Sequence, residues 1–303
     1  MSSANLFLLF LLATLWGPSF LFIKVAVAEI PPLTMVTVRV GLAALLLYLF
    51  LRLRGGRLPG FGRLWLHFAA LGLLAHAIPF TLISWGEIYV DSAVAAILNG
   101  TTPLFTMLIA HYAIADERMS WKKLAGMLLG FQGLLFLVWP AIASGFQGST
   151  GGILAVVLAS CSYGLAMVYA RRYLKTLSPL VAPTAQLVAA TIYMVPLALY
   201  FERPFSLAWP SLQAVASLVA LAVIGTALAF VVYYKIIEVA GATYLSMVTY
   251  LLPVFGVILG VLILDEQLAW NAYVGCGLIL SGVMVVNRRP SLLRRILKFE
   301  ATT

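Results

Sequence analysis

Only a few side chains of this sequence could perform acid–base, nucleophilic or metal chemistry. The 303 residues include three histidines, two cysteines and ten acidic residues. The sequence has no G-x-x-x-x-G-K-[ST] phosphate loop, no H-E-x-x-H zinc motif and no two carboxylates together within an apolar segment. Cys161 and Cys276 lie far apart in apolar stretches, so we expect small apolar fillers rather than a disulfide or a metal site. The sequence therefore predicts no catalytic residue, no metal site and no cofactor.

Some ionisable residues lie inside long apolar segments, where each is costly unless it is paired or hydrated. His76 lies three residues before Pro79 and is the best candidate for a polar contact with a bound molecule or for proton binding. A neutral ring bonded to a main-chain carbonyl is the alternative. Arg39 lies about six residues inside its segment. We expect its guanidinium to reach the surface or to pair with a carboxylate, with contact to a substrate carboxylate as the alternative.

The composition indicates that these residues are carried by helices in a membrane. Hydrophobic residues make up 63% of the chain and charged residues 10%, with a mean hydropathy of +1.05, whereas a soluble domain has roughly 25% charged residues. A spanning helix needs roughly 20 apolar residues. We predict an all-α membrane protein with ten transmembrane helices, near residues 5–28, 33–51, 64–85, 89–114, 121–138, 151–171, 180–201, 211–235, 243–264 and 270–287.

The basic residues are distributed unevenly between the two sides that ten helices create. If the N-terminus is cytoplasmic, sixteen of the 19 Lys and Arg residues lie at cytoplasmic helix ends, loops or the tail, and Arg203 alone lies outside. Positive residues are enriched on the cytoplasmic side of membrane proteins. The pattern predicts a multi-pass protein of the bacterial inner membrane with both termini cytoplasmic. Contact with anionic lipids of the bilayer then explains the net charge of +9, so no nucleic-acid partner is expected.

The two halves of the chain share landmarks at a nearly constant offset. Because five is an odd number of helices, the second half would enter the membrane in the opposite orientation, as in many secondary transporters. We predict a first five-helix repeat at 1–142, an inverted second repeat at 149–288 and a basic cytoplasmic tail at 289–303. The matched positions include Lys24 and Arg171, Arg39 and Gln186, Pro103 and Pro253, Asp116-Glu117 and Asp265-Glu266, and Gly133 and Gly282, at offsets of 147 to 150.

Two segments of the first half carry a family resemblance. The segments are Leu15–Phe20 with Pro31-Pro32 and Arg39, and Pro103–Phe105 with Asp116–Arg118, Gly126 and Gly133. They resemble the EamA-type unit of the drug/metabolite transporter superfamily, whose members contain two such units. The resemblance implies ten helices, an inverted repeat and a central cavity formed mainly by helices 1, 3, 4, 6, 8 and 9. By general similarity, the chain is most like the bacterial aromatic amino-acid exporters of the YddG type.

Prolines inside the predicted helices indicate where the cavity lies. Pro103 frees the carbonyl of Asn99, and Pro253 that of Thr249, beside small polar residues. Pro18, Pro79, Pro103 and Pro253 are predicted hinges, with static kinks as the alternative. The predicted substrate contacts are Trp16, His76, Pro79, Asn99, Thr102, Tyr163, Met167, Ser246, Thr249 and Tyr250.

These features predict a transporter rather than an enzyme. The main hypothesis is export of amino acids, aromatic or otherwise apolar, or of related small metabolites, by alternating access to a central cavity. A carrier of phosphorylated sugars or nucleotide sugars and a multi-span lipid-modifying enzyme are the alternatives. The expected partners are a small-molecule substrate and the lipid bilayer. A monomer suffices for this function. Gly126 with Gly130, and Gly256 with Gly260, predict close helix packing, with a homodimer contact through the fifth or tenth helix as the alternative. Proton coupling and facilitated diffusion or exchange both stay open.

Overall fold

A computed structural model describes residues 3–114, 120–143, 149–173, 180–240, 248 and 251–287. Every regular element within these ranges is helical. Two α-helical rods contain a π-helical segment, at Leu73–Ala77 and Val223–Leu228, and Pro204–Ser206 form a short 3-10 turn. The α-helices are α1 (Ser3–Trp16), α2 (Ser19–Val27), α3 (Pro32–Leu53), α4 (Arg63–Gly72), α5 (Ile78–Tyr89), α6 (Ser92–Asn99), α7 (Thr102–Ala113), α8 (Trp121–Ala143), α9 (Ser149–Tyr173), α10 (Val181–Phe201), α11 (Leu212–Ala222), α12 (Ala229–Ala240), α13 (Leu252–Ile263) and α14 (Trp270–Asn287).

The helices have the length and composition of a multi-pass membrane protein. Seven described stretches are long and apolar enough to cross a bilayer, and Leu252–Ile263 is a shorter apolar helix. Large apolar side chains such as Leu45, Leu154 and Leu262 are more than half exposed, as expected of a surface that faces lipid. The seven stretches are Asn5–Val27, Pro32–Leu53, Arg63–Tyr89, Ser92–Ala113, Ser149–Ala170, Val181–Phe201 and Leu212–Tyr233.

Several helices that the sequence predicts as continuous are interrupted. The first is broken at Gly17-Pro18, and the fourth at Gly100-Thr101. Pro79 lies inside the continuous helical rod Arg63–Tyr89, directly after the π segment. Pro103 and Pro253 each occupy the first turn of a helix. The first turn has unpaired amides in any case, so a proline costs little there. These interruptions bring main-chain polar groups into the interior, where the cavity lies.

Two contacts between the halves of the chain form a matched pair, in which each half supplies a glycine to one contact and a phenylalanine to the other. A methyl group added at Gly17 would lie 2.5 Å from Cβ of Phe255, and one added at Gly164 would lie 3.2 Å from Cβ of Phe105. Gly17 matches Gly164 at an offset of 147, and Phe105 matches Phe255 at 150. Each glycine therefore packs on the phenylalanine of the other half, which is the exchange that a two-fold relation between the halves produces.

The glycines of α8 and α14 show the same exchange. A methyl group added at Gly133 would lie 2.7 Å from the carbonyl oxygen of Gly275, and one added at Gly282 would meet the carbonyl oxygen of Gly126. Gly126 matches Gly275, and Gly133 matches Gly282, at an offset of 149. Small residues let two backbones approach closely within a membrane. The glycines that the sequence offers for helix contact are thus used to pack α8 on α14 within one chain.

Candidate functional site: a central cavity

A cavity of about 250 Å³ lies where the broken helices meet. Both π segments and the break between α1 and α2 contribute to its wall. The described residues that line it are Trp16, Ser19, Phe20, Ile23, Arg39, Leu71, Ala75, His76, Phe80, Ile83, Asn99, Gly100, Thr102, Tyr163, Ala166, Met167, Ala170, Gln186, Gly225, Phe230, Tyr233 and Leu252.

Most of the predicted contact residues that the structure describes are on this wall. They are Trp16, His76, Asn99, Thr102, Tyr163 and Met167. Pro79 is buried beside the lining residue Phe80 and is not itself part of the wall. Ser246, Thr249 and Tyr250 lie outside the described residues.

The predicted hinge prolines lie close to the wall. Pro18 precedes the lining residue Ser19, and Pro103 follows Thr102. A methyl group added at Gly100 would lie 2.8 Å from Cγ of Pro253, so the break between α6 and α7 packs on the start of α13. The breaks of the two halves therefore meet at the cavity.

Arg39 is a buried cation in the cavity wall. Its side chain is 5% exposed, its Nε donates a hydrogen bond to Thr226 Oγ1 at 3.1 Å, and its guanidinium carbon lies 3.8 Å from the centre of the Phe80 ring. The Thr226 hydroxyl in turn donates to the carbonyl of Leu221 at 2.9 Å. The expected ion pair with a carboxylate is not formed within the described part of the chain. A hydrogen bond and a cation–π contact hold the guanidinium instead.

His76 lies in the π segment Leu73–Ala77 with 2% of its side chain exposed. The edges of its ring meet Phe80 and Phe230, with both centroid distances at 5.5 Å. Neither ring nitrogen has a well-aligned hydrogen bond to a described residue, although Gln186 lies beside the ring. The ring is thus held by aromatic packing, and its nitrogens have no partner among these neighbours.

Gln186 is a wall residue for which the sequence predicts no role beyond matching Arg39. In the structure, Arg39 of α3 donates a hydrogen bond to Thr226 in the second π segment, and Gln186 of α10 lies beside His76 in the first. The position of His76 is 150 residues before that of Thr226. The two contacts are therefore a third exchanged pair, and the repeat offset was the signal in the sequence that could have predicted it.

Other polar groups of the wall are left without protein partners. Ser19 Oγ and Asn99 Oδ1 are buried and make no hydrogen bond to any described residue. The Trp16 indole, by contrast, donates to the carbonyl of Gly225 at 3.1 Å. Buried polar groups are almost always satisfied by protein, water or a bound molecule. The unpartnered groups around Arg39 are consequently suited to a small polar ligand.

One end of the molecule is closed by three glutamates, each of which caps the start of a helix from the other half. We call this end, formed by residues 28–31, 90–91, 202–211 and 264–269, the capped end. A carboxylate at a helix N-terminus accepts bonds from otherwise unpaired amides and interacts favourably with the helix dipole. Glu29 accepts from Ser211 N and Oγ at 2.6 Å each, Glu202 from Leu33 N at 2.9 Å and Thr34 N at 2.6 Å, and Glu266 from Ser92 N at 2.7 Å and Ala93 N at 2.9 Å.

Lys24 adds a fourth connection at the capped end. Its ammonium donates to the main-chain carbonyls of Glu87 and Val90, both at 2.7 Å. These carbonyls belong to the end of α5 and the turn before α6. The bonds tie α2 to that turn and close the cavity on this side.

The cavity is more exposed toward the opposite end. Helix α9 starts at the capped end, where a methyl group added at Gly152 would lie 2.9 Å from Cβ of Tyr89. Further along α9, the lining residue Met167 is 44% exposed. Ile23, Arg39 and Ile83, nearer the capped end, are each at most 5% exposed. Among the described residues, the cavity lining is therefore buried near the capped end and more exposed away from it.

Comparison with known proteins gives one family for both halves. The profile of the EamA-like transporter family matches residues 4–139 and 150–288. A crystal structure with 20% sequence identity superposes with a TM-score of 0.68 over 96% of this chain and 100% of that chain, a likeness that concerns the fold alone.

Several relatives are similar over most of their length. An uncharacterized transporter of Bacillus subtilis, YoaV, is 27% identical over 89% of this chain and 92% of its own. The uncharacterized inner membrane transporter YedA of Escherichia coli is 28% identical over 92% and 89%. A probable terminal-alkyne amino-acid exporter of Streptantibioticus cattleyicolor is 28% identical over 77% and 74%.

Proposed function

The chain belongs to the EamA-like transporter family, and we propose that it exports amino acids with aromatic or other apolar side chains, or closely related metabolites, across the bacterial inner membrane. The observation that carries this proposal is Arg39, a buried guanidinium on the cavity wall that has no carboxylate partner among the described residues. A guanidinium binds a carboxylate through a fork of parallel hydrogen bonds. The carboxylate of the substrate supplies the missing counter-ion.

The rest of the wall fits the remaining groups of an amino acid. Asn99 Oδ1 is an unpartnered acceptor for the ammonium group, and Phe20, Phe80 and Phe230 offer an apolar surface for the side chain. The cavity of about 250 Å³ is slightly smaller than the roughly 300–1,000 Å³ of typical small-molecule sites. It therefore suits one small molecule. The relative named as a probable amino-acid exporter supports the same substrate class.

The cavity does not favour a carrier of phosphorylated or nucleotide-linked sugars. Such substrates carry two or more negative charges and call for several basic side chains. Among the described lining residues, Arg39 is the only lysine or arginine. The names of the relatives as transporters likewise support transport rather than a lipid-modifying reaction.

Transport by this cavity proceeds by alternating access of two inverted five-helix repeats, 1–142 and 149–288. The exchanged contacts of Gly17 with Phe255 and of Gly164 with Phe105 support the repeat. The concentration of basic residues on one side supports cytoplasmic termini. In that orientation the capped end faces outward, and the more exposed part of the cavity lining lies on the cytoplasmic side.

Counterflow in liposomes tests the proposal. Purified protein is reconstituted with an internal excess of unlabelled substrate, and uptake of labelled phenylalanine, tryptophan and leucine is compared with that of empty liposomes. Glucose 6-phosphate and a nucleotide sugar complete the panel. Accelerated uptake of the amino acids alone supports the proposal. Acceleration confined to the phosphorylated compounds, or none with any proteinogenic amino acid, overturns it.

A further inference from the structure

We propose that Glu87 is a proton-binding site that is occupied when the capped end is closed and empties when that end opens, so that pH on that side sets the conformational equilibrium. The inference rests on the proposed transport function. Its ligand is a proton, and the binding group lies outside the substrate cavity. Glu87 lies in the last turn of α5 and is not part of the cavity wall.

The carboxyl group of Glu87 is enclosed and has no hydrogen-bond donor. The residue is 0% exposed, and neither carboxylate oxygen has a partner among the described residues. The hydroxyl of Ser84, one turn earlier, is also buried and unpartnered. A buried ionised carboxylate is costly unless it is paired and hydrogen-bonded, and the usual outcome is that the group takes up a proton. In the closed conformation Glu87 is accordingly a neutral acid.

The neighbouring cations are engaged elsewhere. The Lys24 ammonium on α2 donates to the main-chain carbonyls of Glu87 and Val90, not to the carboxylate. Arg39 on α3 directs its Nε to Thr226. Both charges are close enough to attract an ionised Glu87, but neither forms an ion pair with it within the described residues.

The neighbouring anions oppose ionisation. Glu266 caps α6 beside Glu87, and its charge disfavours a second carboxylate there. Burial together with the charge of Glu266 raises the pKa of Asp91, in the turn that follows α5. Helix α9, which packs on this part of α5, contributes the uncharged Gly152 and Val156. The surroundings thus hold a proton on Glu87 as long as the end stays closed.

Opening of the capped end reverses these conditions. Separation of α2 from the turn after α5 breaks the two bonds of Lys24, so that water and the freed ammonium both reach the carboxyl group. The O–H bond of Glu87 then breaks, its proton passes to water on the capped side, and the carboxylate pairs with Lys24. On closure, the carboxylate takes one proton back from the same side. Low pH there therefore favours the closed state.

Labelling of a buried cysteine tests the conformational prediction. Ile83→Cys, in a background of Cys161→Ala and Cys276→Ala, places a thiol on the wall that faces the capped end, where Ile83 is 4% exposed. A membrane-impermeant maleimide is added from the capped side between pH 5 and 8. The labelling rate of Ile83→Cys is divided by the labelling rate of an exposed reference thiol, Leu207→Cys. This ratio removes the pH dependence that comes from ionisation of the thiol.

The expected normalised rate rises with pH, by up to about tenfold per unit as one proton is released. Glu87→Gln, which mimics the protonated acid, should give a low rate that does not change with pH. Asp265→Asn, which removes an exposed acid at the same end, should behave like the parent. A wild-type pH profile in Glu87→Gln overturns the proposal. Because the labelling needs no substrate, it can succeed or fail independently of the counterflow panel.

Infrared spectroscopy tests directly whether a carboxyl group is protonated. Its first measurement uses the unmodified protein, so it does not depend on whether a variant folds. Exposed carboxyl groups are ionised at pH 6, since their pKa lies near 4. The unmodified protein should nonetheless show the C=O stretch of a protonated carboxylic acid at pH 6. Asp91→Asn should keep a band that Glu87→Gln lacks. Absence of the band in the wild type, or its loss in Asp91→Asn with retention in Glu87→Gln, overturns the assignment.

Discussion

Arg39 and Thr226 are joined by a hydrogen bond of 3.1 Å between residues 187 positions apart in the sequence. The cation of the cavity wall is therefore oriented by a hydroxyl from the opposite half of the chain. Any motion of one half relative to the other must either carry this pair together or separate it. Under the proposed function, the pair would link the binding of a substrate carboxylate to the relative position of the two halves.

Replacing Arg39 should weaken substrate binding more than it affects folding. Arg39→Met keeps the packing on Phe80 but removes the charge, and a hydrogen bond to a charged group is worth about 1.5–3 kcal/mol, so the apparent affinity should fall by roughly 10- to 150-fold. Arg39→Lys should recover part of it, because it keeps the charge without the fork. The half-saturating substrate concentration in counterflow measures this effect. Arg203→Met, in the loop at the capped end, is the matched control, and unchanged affinity in Arg39→Met would contradict the assigned contact.

His76 should contribute to binding but not to the pH response. Its ring is enclosed by Phe80 and Phe230, so we expect it to make a polar contact with the substrate rather than to exchange a proton with water. His76→Gln should therefore lower the affinity for substrate and leave the pH dependence of counterflow intact, whereas Glu87→Gln should abolish that dependence. Parallel measurements between pH 5 and 8 separate the two residues. If His76→Gln alone flattens the profile, the histidine is the proton-binding group and our assignment is wrong.

Removing a cap should open the capped end. Glu202→Ala takes away the acceptor of the Leu33 and Thr34 amides, and loss of an N-terminal cap typically costs about 1 kcal/mol. The closed state should lose that stabilisation, and the thiol at Ile83→Cys should react about fivefold faster from the capped side. Asp265→Asn removes an acid that is exposed at the same end, and asparagine tolerates the positive φ of 53° at this position. Equal rates in the two variants would show that the Glu202 cap does not hold this end closed.

The contact of Glu29 with Ser211 should stabilise the fold only above the range in which Glu29 titrates. The hydrogen bonds from Ser211 lower the pKa of Glu29 from its usual 4.5. A lowered carboxylate pKa contributes stability that is present above the unfolded value and is lost as pH falls through the folded one. Ser211→Ala should therefore melt at a lower temperature than the wild type at pH 7, and the difference should shrink as pH falls below 4.5 through the lowered pKa of Glu29. What remains in acid is the bond that Ser211 Oγ accepts from Ala214 N, which does not depend on Glu29. A difference that persists unchanged in acid would rule out this origin.

Close packing of α8 on α14 should tolerate no side chain at Gly282. Gly282→Val places methyl groups against the backbone of Gly126 and Gly130, and overpacking of this kind costs typically 1–3 kcal/mol. The melting temperature in detergent should fall accordingly. Gly277→Val, on the same helix, is the matched control because an added Cβ there meets nothing within 4 Å. Similar losses for both variants would indicate an effect of valine on the helix rather than on the contact.

Hydrophobicity and proline positions in the sequence predicted much of this architecture, and Pro18 and Pro103 mark two of the helix breaks, but the extent of the breaks and the π segments were not predicted. An apolar run reads as one helix whether or not its backbone is interrupted, and the π segment around Thr226 has no proline to mark it. The wall residues His76 and Asn99 were predictable because polar residues stand out in an apolar segment. Gln186 was recognised only as the match of Arg39, since no local pattern indicates which face of α10 turns inward.

Glu87 shows why a buried acid can escape sequence analysis. The predicted third helix ended at residue 85, so Glu87 fell in a loop, where acids are common and hydrated. The structure extends α5 to Tyr89 and covers this turn with α2, α9 and the residues around Glu266. Burial at a helix end depends on contacts between segments far apart in the chain, and no local pattern reports them.

The difference between Arg39 and Gln186 makes the cavity directional. Two identical halves would place matching side chains at these two positions, whereas one carries a guanidinium and the other an uncharged amide. Arg39 lies nearer the capped end than Met167 does. Under the proposed function, the carboxylate of a bound amino acid would therefore face the capped end.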